Sequence, residues 1–342
     1  MKRLSAFTLS AAMIAGAGGA AFAGDAEDPR VQWNFSVWGK QRALTAGIEK
    51  LAEIVSEKTD GQFTIKIHYG GALSKPKENL DGIKLGAFQS TLVCHYYHPG
   101  KNPPFMVFQL PFLPLGDPQT LIAVSEALYQ HPDLVSSMDR WNAMVYASTV
   151  IPSYEFMGTG SPPLKLEDWD GMRVRAGGGL GKAMEILGAT RTTMPGPEVY
   201  TALQRGTVDA ISFPYTYAFA AFKIDDVSDW YTSNLAIGTI DCPIVFNKDA
   251  WADLPEHYKQ IVRDAKPAVL EAEIKAYQDH DEINIPQFEE KLQKIVYSDE
   301  DIQQLREAAG RPVWDEWVAE NKDKFDAQGI LDLVFETANK TN

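Results

Sequence analysis

Positive charge is scarce in this 342-residue chain: 32 Lys and Arg face 46 Asp and Glu, a net charge of −14. An acidic body repels nucleic-acid phosphates, and no basic stripe offsets it, so a nucleic-acid partner is excluded. Cysteine is nearly missing, with Cys94 and Cys242 alone. Both lie in apolar, strand-like stretches. An oxidising compartment permits a bridge between them, but two buried free thiols are the expectation. Past the N-terminus no apolar run approaches the roughly eighteen residues of a membrane helix. No low-complexity tract or Gly/Ser-rich linker divides the chain either.

Several chemical signatures are also missing. The stretch "DWDGMRVRAGGGLGKAM" (168–184) invites a phosphate-loop reading through its glycines and Lys182. A Walker loop needs glycine five residues before the Gly-Lys pair and Ser or Thr after the lysine, and here those positions are Ala176 and Ala183. The dinucleotide fingerprint fails as well, because its third glycine falls at Lys182. His95 and His98 sit three apart, but Pro99 follows and no acidic or cysteine partners share the spacing, so no metal is expected. No G-x-S-x-G elbow or ordered Ser, His and Asp set marks a hydrolase. A catalytic site would need a nucleophile or a metal. Neither is evident, and neither catalysis nor a cofactor is expected.

What is present begins at the N-terminus. Lys2 and Arg3 precede a short apolar stretch, Leu9 to Ala21, and Ala21-Phe22-Ala23 supplies an A-x-A site. This predicts an export signal over 1–23, cleaved after Ala23, and a soluble periplasmic protein. Without those two cations the net charge becomes about −16. The length suits two domains of mixed type. Val31, Trp33, Phe35 and Val37 alternate as a strand; Leu44, Ile48, Leu51 and Val55 recur at helical spacing; Phe63, Ile65, Ile67 and Tyr69 alternate again. Strand, helix, strand implies a βαβ unit and a parallel sheet. "ENLDGIKLGAF" reads as a helix and "QSTLVCHYY" as a strand, while "PPFMVFQLPFLPLGD" has too many prolines for one regular element. "EVYTALQR" is a helix stopped by Gly206. From Pro255 helical spacing runs with few breaks to about Ala309, long enough to span two domains.

With phosphate loops set aside, the remaining chemistry is Arg175 among aromatics. A guanidinium holds a carboxylate bidentately, and aromatic walls suit a planar or apolar ligand body. Trp38, His95, Tyr96, Tyr97, Tyr154, Phe213, Tyr215 and Trp230 stand at loops and strand ends as candidate walls, although core packing is the ordinary role of any one of them.

At this point the chain resembles the solute-binding subunits of tripartite ATP-independent periplasmic (TRAP) transporters over nearly all of its mature length. "GGAL" at 70–73, "LPFL" at Leu110–Leu113, "DWDGMRVRA", "EVYTALQRGTVDA" and "VFNKDAWADLP" fall in the family's order and spacing. The resemblance implies an α/β two-lobe periplasmic binding protein fold with hinge strands and a long helix spanning both lobes. On this reading lobe I is 24–152 plus 241–280, lobe II is 153–240 plus 281–325, and 326–342 is a C-terminal tail packing on the lobes. Arg175 matches the family's carboxylate-pairing position, and Arg173 turns to the other face of its strand. The implied partners are a small organic acid ligand and the membrane permease subunits of a TRAP transporter, with the protein itself a monomer.

Two departures from the family pattern bear on the ligand. Phe213 stands where the family usually carries an asparagine. Tyr154 and Glu155 stand where many dicarboxylate and sialic-acid binders place a second basic residue. A second carboxylate would then meet no second cation, which favours a monocarboxylate on an aromatic, benzoate-like body. The alternative is a zwitterionic osmolyte, ectoine- or betaine-like, with Glu155 and the rings holding its cationic group. A keto or hydroxy acid is a further alternative. A sensor-type binding protein that presents its ligand to a receptor kinase also stays open.

Overall fold

The computed structural model describes residues 28–341. The signal segment and its cleavage after Ala23 lie outside the described residues.

The strand–helix–strand opening folds as its periodicity dictates. β1 (Val31–Ser36) and β2 (Phe63–His68) pair in parallel across the helix Ala46–Lys58, whose buried positions are Gly47, Ile48, Leu51 and Val55. β3 (Ser90–Leu92) adds in parallel on the other side of β1. After β4 (Ala143–Ala147) the chain leaves this sheet and builds a second one from β5 (Tyr154–Gly158), β6 (Arg173–Arg175), β7 (Thr190–Thr192), β8 (Ala210–Pro214) and β9 (Trp230–Thr232). It then returns with β10 (Ile244–Asn247), which pairs antiparallel with both β3 and β4. β11 (Gln293–Ile295) closes the second sheet. The strand orders are β2-β1-β3-β10-β4 and β11-β9-β5-β8-β6-β7, so each sheet is the centre of one lobe.

The chain crosses between sheets after β4 and again before β10, and the two crossings are laced together. Tyr154 N donates to Gly238 O at 2.7 Å, Thr239 Oγ1 to Ile151 O at 2.6 Å, and Thr149 Oγ1 to Cys242 O at 3.1 Å. A third connection is the 36-residue helix Glu256–Lys291, which packs on Ala46–Lys58 in the first lobe and on Tyr217–Ala221 and β11 in the second. Its Tyr277 hydroxyl donates to Thr149 O at 2.7 Å, fastening the helix to the crossing.

The helix ends at Lys291, short of the expected Ala309. β11 interrupts it, and Ser298 starts a new helix, Asp299–Ala309, through a reciprocal cap with Asp301. The strand expected over "QSTLVCHYY" also stops early: pairing ends at Leu92, and His95–Tyr97 forms a 3-10 turn. The C-terminal helix Ala327–Thr341 packs on Pro118–Leu128 of the first lobe.

The expectation of two free thiols is corrected, because Cys94 and Cys242 are joined in a disulfide. Antiparallel pairing places Ile244 opposite Leu92, so two residues past Leu92 and two before Ile244 bring Cys94 opposite Cys242. Spacing in the sequence carries no trace of that register.

Close approach of the helix Ala46–Lys58 to the long helix depends on Gly47. Its N–H donates to Glu273 Oε1 at 3.0 Å, and a Cβ there would lie 2.7 Å from that oxygen and 3.0 Å from Val269 Cγ1. Gly47→Ala is expected to lower stability by about 1–3 kcal/mol, read as a lower urea midpoint. An unchanged midpoint would show that the two helices are not in such tight contact.

Candidate binding site between the lobes

Arg175 ends β6, at the carboxyl edge of its parallel pairing with β8 and β7, the edge where open α/β sheets hold ligands. The side chain is only 1% exposed and is fixed by neutral groups. Nε and Nη2 donate to Met194 O at 3.2 and 2.8 Å, and Nη1 donates to Ser212 O at 2.8 Å. Each terminal nitrogen therefore keeps one uncommitted N–H, the two prongs of a bidentate fork. No carboxylate pairs with Arg175 among the described residues, whereas Arg173, on the opposite face of the strand, is tied to Asp209.

Rings from both lobes cover the guanidinium. Its Cζ lies 5.0 Å from the Tyr96 ring centre and 4.8 Å from that of Phe213. Tyr96 approaches this closely because residue 177 is glycine, where a Cβ would sit 2.8 Å from the Tyr96 ring. The glycine run is thus a passage for an aromatic wall. From Tyr96 the lining continues through Tyr97 at 5.6 Å to Trp38 at 5.7 Å, and from Phe213 to Phe222, stacked at 5.3 Å. The two lobes also meet directly where Gly196 N donates to the Tyr97 hydroxyl at 3.0 Å. Tyr154, Tyr217, Ile151, Ile240 and the disulfide complete a narrow cavity of about 30 Å³. That is room for a water or two, so a ligand with a ring must part the lobes to enter.

Of the sequence candidates, the fold gathers Arg175, Trp38, Tyr96, Tyr97, Tyr154 and Phe213 around this cavity. It does not bring His95, Glu155, Tyr215 or Trp230 there. His95 lies against Phe105, ring centres 3.8 Å apart, with Nδ1 3.1 Å from Asn102 Nδ2, and burial holds its imidazole well below the usual range. Glu155 alternates with Tyr154 along β5 and so faces the other side of the sheet. There it accepts from the Thr232 hydroxyl and from the N–H groups of Leu235 and Ala236. Burial pushes its carboxyl up to about 7 against those donors. Tyr215 lies alongside Tyr231, and Trp230 is fully buried, edge-on to Trp169 and seated against Gly158.

Sequence reasoning does not reach Arg42, Tyr217 or Phe222. Arg42 lines the same cavity at 8% exposure, with Cζ 5.9 Å from the Trp38 ring centre and 5.8 Å from that of Phe222. This corrects the expectation that the pocket holds no second cation. Its position depends on Gly39 at φ 71°, where the turn lets Trp38 and Lys40 aim their carbonyls at Nη1. The sequence offers only a glycine three residues before an arginine, a weak signal.

A wider groove of about 290 Å³ lies where the helices Gly178–Ile186 and Arg311–Asn321 face Met106 and Leu110. Its cations are already engaged, Lys182 with Glu316 and Arg191 with Glu185, so it offers no free anion holder. Among the described residues no cluster of His, Cys, Asp and Glu could hold a metal ion.

A two-lobe body with laced crossings and an uncompensated arginine at the interface defines a solute-binding protein that closes on an anion. The model of the bacterial extracellular solute-binding proteins, family 7, matches residues 36–321, and the chain belongs to that family. It is a substrate-binding subunit of a TRAP transporter, a transport component rather than an enzyme. Family members are periplasmic and work with membrane permease subunits. The chain is 25% identical to a monocarboxylate 2-oxoacid-binding periplasmic protein of Nostoc sp., over 90% of this chain and 89% of that one. Its fold matches a TRAP solute-binding protein of Rhodoferax ferrireducens in complex with benzoate (TM-score 0.80, 19% identity, 91% and 98% of the two chains covered). It also matches a marine-metagenome TRAP solute-binding protein in complex with 3-hydroxybenzoate (TM-score 0.77, 21% identity, 92% and 99% covered).

Asp241, between the cavity-lining Ile240 and Cys242, gives the crossing a pH dependence. Burial pushes its carboxyl up to about 8, although the Tyr129 hydroxyl donates to it at 2.7 Å. A carboxyl raised on folding favours the folded state while protonated, so stability falls as pH rises from about 4 towards 8. Urea midpoints at pH 5 and pH 8 are expected to differ by less in Asp241→Asn than in the wild type. Equal differences would show that Asp241 is not held neutral.

Proposed function

We propose that this protein captures a small organic monocarboxylate with an aromatic, benzoate-like body in the periplasm and hands it to a TRAP permease. It is exported with cleavage after Ala23 and works as a monomer. The observation that carries the reading is the free fork of Arg175 between rings of opposite lobes. A carboxylate there satisfies both remaining N–H groups and contacts the two lobes at once, which shifts the open–closed equilibrium towards closure. The rings of Trp38, Tyr97, Phe213 and Phe222 suit a flat apolar body. The benzoate and 3-hydroxybenzoate complexes of the structural relatives support the same ligand class.

The relative named for monocarboxylate 2-oxoacids favours a second reading, a keto acid on the same arginine. The osmolyte reading relied on Glu155 as partner for a cationic group. With Glu155 on the far face of the sheet, nothing specific favours it.

A thermal-shift screen of benzoates, 2-oxoacids, dicarboxylates and betaine-like osmolytes separates these readings. A ligand at a hundred times its Kd adds about 2.7 kcal/mol of stability. Stabilisation by benzoates is expected, and a response confined to betaine-like compounds would refute the proposal. Arg175→Ala is expected to cost about 3–5 kcal/mol of binding, or roughly two to four decades in Kd. Arg175→Lys should also bind poorly, because an ammonium cannot reproduce the fork. Affinity within threefold of wild type in Arg175→Ala would remove this residue from the site.

A further inference from the structure

Arg42 is the one group lining the cavity that the carboxylate reading leaves without work. Both N–H groups of Nη1 are taken, by Trp38 O at 2.8 Å and Lys40 O at 2.7 Å. Nε and Nη2 are buried with no hydrogen-bond partner, which leaves three N–H donors without an acceptor. A buried guanidinium with unmade hydrogen bonds is costly, and such groups ordinarily meet a partner when the site is filled. Glu273 contributes favourably at a distance, but no carboxylate comes within ion-pair reach of Arg42 among the described residues, and Glu273 Oε1 is already engaged by Gly47 N.

The two arginines sit at opposite ends of one aromatic box. One wall runs from Arg175 over Tyr96 and Tyr97 to Trp38, the other over Phe213 to Phe222, and Arg42 rests against the far ring of each. A flat body lying between the walls with its carboxylate on Arg175 points its distal edge at Arg42.

We propose that Arg42 is a specificity-determining residue that selects ligands carrying a second acceptor oxygen, distal to the carboxylate held by Arg175. A hydroxyl or an oxo group offers that acceptor on a monocarboxylate. The inference rests on the carboxylate reading of Arg175. It predicts a preference that an apolar box alone cannot produce, since stacking on rings does not distinguish a ring C–H from a ring C–OH in favour of the wetter group.

The test is calorimetric titration of matched pairs: benzoate against its 3-hydroxy and 4-hydroxy derivatives, and hexanoate against 6-hydroxyhexanoate. In the wild type the best oxygen-bearing member of a pair is expected to bind at least tenfold tighter than its parent. In Arg42→Met that advantage should shrink to within threefold. Arg42→Lys should keep part of the advantage. Equal affinities within each pair in the wild type would overturn the proposal, and that comparison needs no variant to fold. An advantage that survives in Arg42→Met would overturn it too. Binding of the aliphatic pair alone would refute the aromatic reading while still testing Arg42, and an Arg175→Ala control reports separately on the carboxylate end.

Discussion

The structure turns on a buried positive charge that its own protein never neutralises. Arg175 is oriented by two backbone carbonyls and covered by two rings, all of them neutral or quadrupolar partners. Such partners fix direction without cancelling charge. The guanidinium therefore remains a net cation in a place that water can reach only when the lobes are apart. An anion that enters converts a cost of closure into a gain, and a neutral solute of the same shape cannot. Discrimination between acid and non-acid thus follows from leaving the charge alone, more than from any contact added to hold it.

Much of this was legible in the sequence, and the limits of legibility are physical. Alternation and helical spacing gave β1, β2 and the helix between them because those elements bury one face against a single core. The failure of the phosphate-loop pattern around Gly177–Lys182 left the arginine strand as the chemistry of that stretch. Helical spacing from Pro255 runs past the end of the helix at Lys291, because at Gln293–Ile295 pairing with β9 takes over the backbone. Trp230 and His95 resembled wall residues only because core aromatics and site aromatics share a composition.

Glu155 and Arg42 fail in opposite ways. Glu155 sits next to a cavity residue in sequence and is carried to the other face by the pleat, a parity that depends on which of two neighbours the strand presents. Arg42 is far from Arg175 in sequence and reaches the pocket through a tight turn at Gly39 and the closing of one lobe over another. Local pattern reports on faces and periods. It does not report on which loop of one lobe meets which strand of the other.

The disulfide adds an asymmetry to the binding cleft. Cys94 immediately precedes the turn that carries Tyr96 and Tyr97, and Cys242 lies on the crossing that leads into β10. The bond therefore ties the turn that carries one aromatic wall to the crossing that leads into β10. The facing wall has no covalent tie: Phe213 rides on β8, paired with β5, and Phe222 caps the helix Tyr217–Ala221. The two sides of the cleft are thus held by different means, one by a covalent link between a turn and the lobe crossing, the other by sheet pairing and a short helix.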